Sequence, residues 1–295
     1  MFPYRLGLIV WVAGCPAVAG DFEDARALFA AKRYPEARAA FEKIVAAEPR
    51  HAAACHYLGL TLRLRNDPAA LAEALPWLAK AVEFEPNNPT YLADFGGISL
   101  LQAGRTRSYL DATRGRDAME KALTLAPDNL DAREGLIQFY ARAPWPVGSS
   151  AKAATHLAEL RRRDAERATV LEVLMKSNAK DYAAAFQLCE QLLAGHPDNY
   201  SALYFLGRTA SLSGQNLPRG LACLQRCLAL DPPTPASPTH SNVWHRIGVI
   251  QEKLQHPVEA AHAYDAALKL DPSNRPAATA RARLDPPASS PAGRP

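Results

Sequence analysis

The chain has 295 residues, 48% of them hydrophobic and 22% charged, with a formal net charge of +4. Apolar content this high excludes a largely disordered polypeptide, 16 glycines exclude collagen, and the absence of an apolar run of about 18 residues excludes a polytopic membrane protein. The charge is too small to mark a nucleic-acid binder. The sequence is rich in alanine, the best helix former, yet holds 24 prolines, which break helices unless they stand at their ends.

Residues 1–20 read MFPYRLGLIVWVAGCPAVAG. Arg5 supplies a positive start and residues 6–13 form a short apolar stretch. Ala17-Val18-Ala19 gives a small-residue cleavage pattern, so the segment reads as a secretory signal covering 1–19. Val12-Ala13-Gly14-Cys15 also fits a lipoprotein signal over 1–14, with Cys15 lipidated. A plain amino-terminal apolar helix is the third reading. Either signal implies export, to a periplasmic or secreted location, or as an outer-membrane lipoprotein.

From residue 21 the prolines become regular. Glu48-Pro49, Glu85-Pro86, Ala126-Pro127, His196-Pro197, Asp231-Pro232 and Asp271-Pro272 recur at intervals of about 35 to 41 residues, with one gap about twice as long. That gap holds a degenerate copy ending at Asp164-Ala165. Between the prolines, apolar residues follow helical spacing. In the clearest unit Trp244, Ile247 and Gly248 lie on a first helix and Ala260, Tyr264, Ala267 and Leu268 on a second, closed by Pro272. Gly59, Gly96 and Gly207 repeat the first-helix glycine.

These residues resemble the tetratricopeptide repeat (TPR), with its Leu-Gly pair in helix A and Ala-x3-Phe-x2-Ala in helix B. The resemblance covers about 21–284 and implies an all-α fold: a right-handed superhelical solenoid of about seven helical hairpins, with 275–284 as a carboxy-terminal capping helix. Segments 105–114 and 143–150 read as insertions in the third and fourth units. Pro76 falls inside a helix B and predicts a kink or a late helix start. Residues 231–240 read as an ordered loop or short hinge, and 285–295 as a disordered Pro/Ser/Ala tail.

No motif of a catalytic, nucleotide-binding, haem or calcium site is present. The expectation is therefore a protein that is not an enzyme and has no catalytic residues, no cofactor and no metal. Cys189, Cys223 and Cys227 sit at matching helix B positions, as core thiols, as a Cys189 disulfide to Cys223 or Cys227, or as a soft-metal site; Cys55 reads as a core residue. His240, His245, His256 and His262 are spaced as solvated or capping residues rather than as ligands. Two basic clusters, Arg105, Arg107, Arg114 and Arg116 around Tyr109, and Arg161, Arg162 and Arg163, read either as an anionic partner surface or as solvated helix ends. Trp145, between Pro144 and Pro146, reads as an anchor or an exposed contact.

The family resemblance implies that helix A lines a concave face gripping a peptide or partner helix. Mapped onto this chain, that face carries Tyr57, Arg63, Gln138, Arg142, Tyr204, Phe205, Arg208, His245 and Arg246, with His56, Asp94, Glu134 and Glu252 beside them. The Lys/Asn set that clamps carboxylates in chaperone-binding members is not matched. The expected function is a non-enzymatic scaffold in the bacterial cell envelope with a protein partner and no nucleic acid, meeting the membrane only if lipidated at Cys15; the alternative is a module binding an envelope glycan or lipid.

Overall fold

A computed structural model describes residues 16–64, 68–143, 147–233 and 237–284. The expected signal up to Cys15, Trp145 and the tail 285–295 lie outside them. The described residues hold fifteen α-helices and no strand. None of these helices is long and apolar enough to cross a membrane. The chain forms two compact units, 1–157 and 158–295.

The first unit contains α1 (Pro16–Ala30), α2 (Tyr34–Ala47), α3 (Ala52–Arg63), α4 (Pro68–Phe84), α5 (Pro89–Thr106), α6 (Tyr109–Leu125), α7 (Leu130–Arg142) and the start of α8 (Ser150–Arg163). The second contains the rest of α8, then α9 (Ala165–Asn178), α10 (Tyr182–Gly195), α11 (Tyr200–Ser213), α12 (Leu217–Cys227), α13 (His240–Lys253), α14 (Pro257–Leu270) and α15 (Arg275–Leu284). Odd-numbered helices are the A helices and even-numbered ones the B helices. Seven hairpins result, and α15 follows the last of them against α14 and α13.

The recurring Pro-Asn and Pro-Asp strings acquire a physical role. The proline stands in the turn just after helix B, where it cannot extend the helix. Two residues later an Asn caps the next helix A. The side chains of Asn88, Asn129 and Asn199 accept hydrogen bonds from the amides of Tyr91, Ala132 and Ala202 at 3.3, 2.9 and 2.8 Å. Asp164 does the same for α9, bonding the Arg167 amide at 2.8 Å, so the degenerate unit keeps its cap without its proline. Each such cap contributes about 1 kcal/mol.

Among the described residues, five hairpins reverse through a left-handed residue that is not glycine: Arg107 and Asn216 in two, and in the other three Lys32, Lys180 and Gln255, with φ of 59°, 63° and 64°. In each of these three, the next amide reaches back five residues, Arg33 to Leu28, Asp181 to Lys176 and His256 to Gln251, all at 2.9 Å. This is the Schellman closure, which satisfies carbonyls the helix end leaves bare.

Close approach of A to B rests on glycine. A Cβ at Gly207 would stand 2.3 Å from Leu224 Cγ, and one at Gly59 2.7 Å from Leu78 Cγ. Larger side chains fill the layers between hairpins: Phe41, Leu58, Leu78, Ile98 and Leu136 in the first unit, and Leu203, Leu206, Leu224 and Tyr264 in the second, are fully buried or nearly so. Each stabilises its unit by about 1.5–3 kcal/mol.

Successive A helices are also tied by polar pairs. His56 Nε2 on α3 meets Asp94 Oδ2 on α5 at 2.7 Å. The buried hydroxyls of Ser177 on α9 and Thr209 on α11 share a hydrogen bond of 2.8 Å. Asn274, the cap of α15, donates to Ser241 Oγ on α13 at 2.8 Å, and Ser241 donates to the Ala267 carbonyl at 2.9 Å.

Three expected segments take a definite form. The extra length at segment 105–114 is helical: α5 and α6 have 18 and 17 residues, so both helices are extended around a turn at Arg107-Ser108. Gly115 allows this, because its missing Cβ leaves room for Leu100 and the Gly96 backbone, so the two helices stay in contact. Of the two outcomes expected at Pro76, a kink or a late start, the late start is ruled out: α4 begins at Pro68 and carries Pro76 in its interior. Where it is described, the segment before α13 is an ordered loop held at its end. Tyr200 Oη donates to the Pro238 carbonyl at 2.7 Å, and the His240 ring bonds the Leu230 carbonyl at 2.8 Å.

Candidate functional site: the helix A face

In the first unit the A face is aromatic. Tyr57 is half-buried, with its ring 5.4 Å from both Phe29 and Phe41 and 5.9 Å from Phe22. It therefore joins the core more than the surface. His56 is 5% exposed and packs 4.5 Å from the Tyr91 ring, so its bond to Asp94 joins two hairpins from inside. Arg63 and Arg142 end α3 and α7 and are exposed, while Gln138 donates to Glu134 at 3.4 Å.

In the second unit the A face is cationic. Tyr204 is only 7% exposed and belongs to the core, packed edge-on against half-buried Phe205 at 5.3 Å. One turn on, Arg208 is half-buried and donates to Asn178 Oδ1 at 3.3 Å. Burial first, and then the neighbouring Arg246 charge, hold the Arg208 guanidinium below its ordinary range. The same two causes push His245 down to about 4, so it is neutral at physiological pH. Arg208 Nη1 and Arg246 Nε are both enclosed and have no hydrogen-bond partner. Beyond Arg246, between α13 and α15, opens a cleft of about 730 Å³ whose charged lining is Arg246, Glu252, Lys253, Arg275 and Arg283. Glu252 is held there by Arg283 at 3.0 Å.

The remaining sequence candidates resolve individually. All four described cysteines are free and buried in the cores. Burial pushes the thiols of Cys189 and Cys227 up to about 12, and those of Cys55 and Cys223 also upward. No three metal-ligating side chains come together among the described residues. His240 and His256 bond locally and His262 is exposed. Arg161 pairs with Glu172 at 2.6 Å, and Arg162 and Arg163 with Glu159, so that run is a solvated set of ion pairs. Arg105, Arg107 and Arg114 are exposed, as are Tyr109 and Leu110, at 66% and 55%. The Arg208–Arg246 juxtaposition across two hairpins had no sequence signal beyond the shared helix A register.

Tetratricopeptide-repeat family models match residues 22–89 and 241–274. No curated protein matches the chain in sequence. Among solved structures, a tetratricopeptide repeat protein from Parabacteroides merdae is similar over 92% of this chain and 99% of its own, at 14% identity and a TM-score of 0.64. Yeast Tom70 is similar over 96% of this chain, at 14% identity and a TM-score of 0.66, and this chain spans 59% of it. The APC/C hetero-tetramer Cut9–Hcn1 is similar over 88% of this chain and 48% of its own, at 18% identity and a TM-score of 0.51. Likeness at such identities speaks to the fold. Residues 22–89 and 241–274 thus match tetratricopeptide repeats in sequence, and the seven helical hairpins of the described residues have the tetratricopeptide-repeat fold.

Proposed function

We propose that the protein is an exported, non-enzymatic scaffold of the bacterial cell envelope that recruits a partner protein along its helix A face. The observation that carries this reading is the second-unit A face, where Phe205, Arg208 and Arg246 stand half-buried beside one another's hairpins with guanidinium nitrogens left unpaired. Aromatic and arginine side chains of this kind dominate binding energy at protein interfaces. The assembly of Cut9 with Hcn1 in a protein of the same fold supports the reading. Export rests on the sequence of residues 1–19 alone. Mass spectrometry of the mature chain tests it: a start at Gly20 means a released protein, and a lipidated Cys15 means an anchored one.

Capture from envelope extract by the wild type and by Phe205→Ala/Arg208→Ala tests the face. Loss of a specific captured protein supports the proposal, and unchanged capture refutes it. A second reading, an envelope lipid or glycan module, is favoured by one feature, the exposed Tyr109 and Leu110 beside Arg105 and Arg107 at the third hairpin's turn. Sedimentation with anionic vesicles, compared with Tyr109→Ser/Leu110→Ser, separates it from the first.

A further inference from the structure

We propose that the turn of the third hairpin is a membrane-docking tip: Leu101, Tyr109 and Leu110 enter the headgroup region of an anionic phospholipid bilayer while Arg105, Arg107 and Arg114 bind its phosphates. Docking of this kind rests on the lipid reading above, to which it gives a definite ligand and depth. It needs no lipid on Cys15, and it leaves the helix A face free for a partner.

The tip stands clear of its neighbours. The A helices α3, α5 and α7 start from equivalent caps, at His51, Asn88 and Asn129. From there α3 runs 12 residues, α5 18 and α7 13. At about 1.5 Å per residue, α5 extends roughly 8 Å past the A helix on either side. The turn residue is Arg107, left-handed at φ 57° where glycine would be less strained, so the hairpin ends on a cation.

What the tip presents is unpartnered on both counts. Leu101, Tyr109 and Leu110 are 52%, 66% and 55% exposed, and among the described residues the Tyr109 hydroxyl has no hydrogen-bond partner. Arg105, Arg107 and Arg114 are exposed too, and among the described residues none of them pairs with a carboxylate. Arginines elsewhere on the surface are held: Arg33 by Glu36, Arg38 by Glu42, Arg219 by Glu190 and Arg226 by Asp198. Residues 101–114 carry a single acid, Asp111, at the start of α6. Three free cations and three exposed apolar side chains thus share one projecting end.

Size and chemistry select a bilayer as the occupant. Three half-exposed side chains offer far less than the roughly 800 Å² per partner of a stable protein interface. A bilayer needs less. Tyrosine favours the membrane interface, where its ring lies among the headgroups. Leucine buries apolar area just beneath, and each arginine adds attraction to an anionic surface. Long arginine stems let the charges stay at phosphate level while the apolar side chains go deeper. None of the described helices is long and apolar enough to cross the membrane, so the tip docks at its surface.

The test uses the chain that starts at Gly20, free of the apolar stretch at residues 6–13. Sedimentation is measured with vesicles of equal parts phosphatidylethanolamine and phosphatidylglycerol, and with vesicles of phosphatidylcholine. The wild type is expected to bind the anionic vesicles alone, and less tightly as salt rises. Arg105→Gln/Arg107→Gln should weaken binding at least about tenfold, at about fivefold per arginine. Tyr109→Ser/Leu110→Ser should weaken it by a similar factor. Lys43→Gln/Lys269→Gln, which removes two exposed charges elsewhere, should leave it nearly unchanged. All these side chains are exposed, so the variants should keep the wild-type melting temperature. Tyr109→Trp should bind as the wild type does, and its added emission should be quenched by brominated lipid chains.

Failure of the wild type to bind anionic vesicles overturns the tip and the lipid reading together, and leaves the scaffold to its own capture test. Vesicle binding that survives in both tip variants overturns the tip alone. An equal loss in the lysine variant marks diffuse attraction and overturns it as well, and so does Tyr109→Trp emission that escapes quenching. If Tyr109→Ser/Leu110→Ser loses a captured envelope protein while vesicle binding is intact, the tip is a protein contact and the bilayer is overturned as its occupant.

Discussion

Adding one methyl group at Gly248 tests the logic of the hairpins most directly. An alanine Cβ there would stand 2.4 Å from Cε1 of Tyr264, 2.6 Å from Cδ1 and 2.8 Å from Cζ. Carbon atoms rest at about 3.5–4.0 Å, so the ring must retreat by about 1 Å. It has nowhere to go: Tyr264 is fully buried, enclosed with Ala260, Ala267, Ala277 and Ala280. Overpacking of this type costs about 1–3 kcal/mol. Alanine recovers about 1 kcal/mol through helix propensity. Because the enclosed ring cannot retreat, the cost lies in the upper part of that range, about 2–3 kcal/mol, and the net expectation for Gly248→Ala is a loss of about 1–2 kcal/mol. Gly104, on α5, has nothing within 4 Å of its Cβ position, so Gly104→Ala should gain up to about 1 kcal/mol. Urea unfolding followed by circular dichroism, with hydrogen exchange of the α13 amides to localise the effect, measures both. In a Tyr264→Leu background the Gly248→Ala penalty should shrink, since the two sites are in contact. Equal or higher stability of Gly248→Ala in the wild-type background would refute the close-approach argument.

Other outcomes follow from the same structure. His245 is held at about 4 in the folded chain against about 6.5 when unfolded, so the unfolded state takes up its proton first as pH falls. Stability should be level above about 6.5 and decline by about 1 kcal/mol between about 6.5 and 4, after allowance for the exposed part of the ring, and His245→Gln should flatten that portion of a chemical-denaturation pH series. With thiols raised by burial, none of the four described cysteines should react with an aromatic disulfide reagent at pH 8 in the native chain, and all four should react in urea; rapid native labelling would contradict their packing. Asn274→Ala removes the α15 cap to Ala277 and the donor to Ser241 together, and should cost about 1–3 kcal/mol by the same urea assay.

The hairpin array was legible because its boundaries are written in residues with one local meaning. Proline ends helix B, and the Asn two positions later opens the next helix A. The A-helix glycines marked where a B-helix side chain crosses. The turns inside the hairpins were less legible, since Lys32, Lys180 and Gln255 take the left-handed form without the glycine that would announce it. The third unit showed its extra length but not its form, since spacing alone does not separate a longer helix from a loop. The candidate site was legible only as a register. Helix phase placed Tyr204, Phe205 and Arg208 on one turn, but whether each points to core or surface is decided by neighbours far along the chain. Tyr204 turned inward and Arg208 did not. The pairing of Arg208 with Arg246 depends on how adjacent hairpins dock, which no local pattern encodes.

The three polar ties between successive A helices have a consequence for assembly of the chain. Apolar faces of repeated hairpins are nearly interchangeable, so a hairpin could seat on the wrong neighbour with little loss of buried area. The ties are chemically different from one another: an imidazole with a carboxylate, two hydroxyls, and a carboxamide with a hydroxyl. A hairpin that skipped its neighbour would strand His56, Thr209 or Ser241 in the interior without its own partner, at about 1–3 kcal/mol for each buried group. Stickiness is thereby shared among all the repeats while order is enforced pair by pair, and a sequence built from seven similar pieces retains one arrangement.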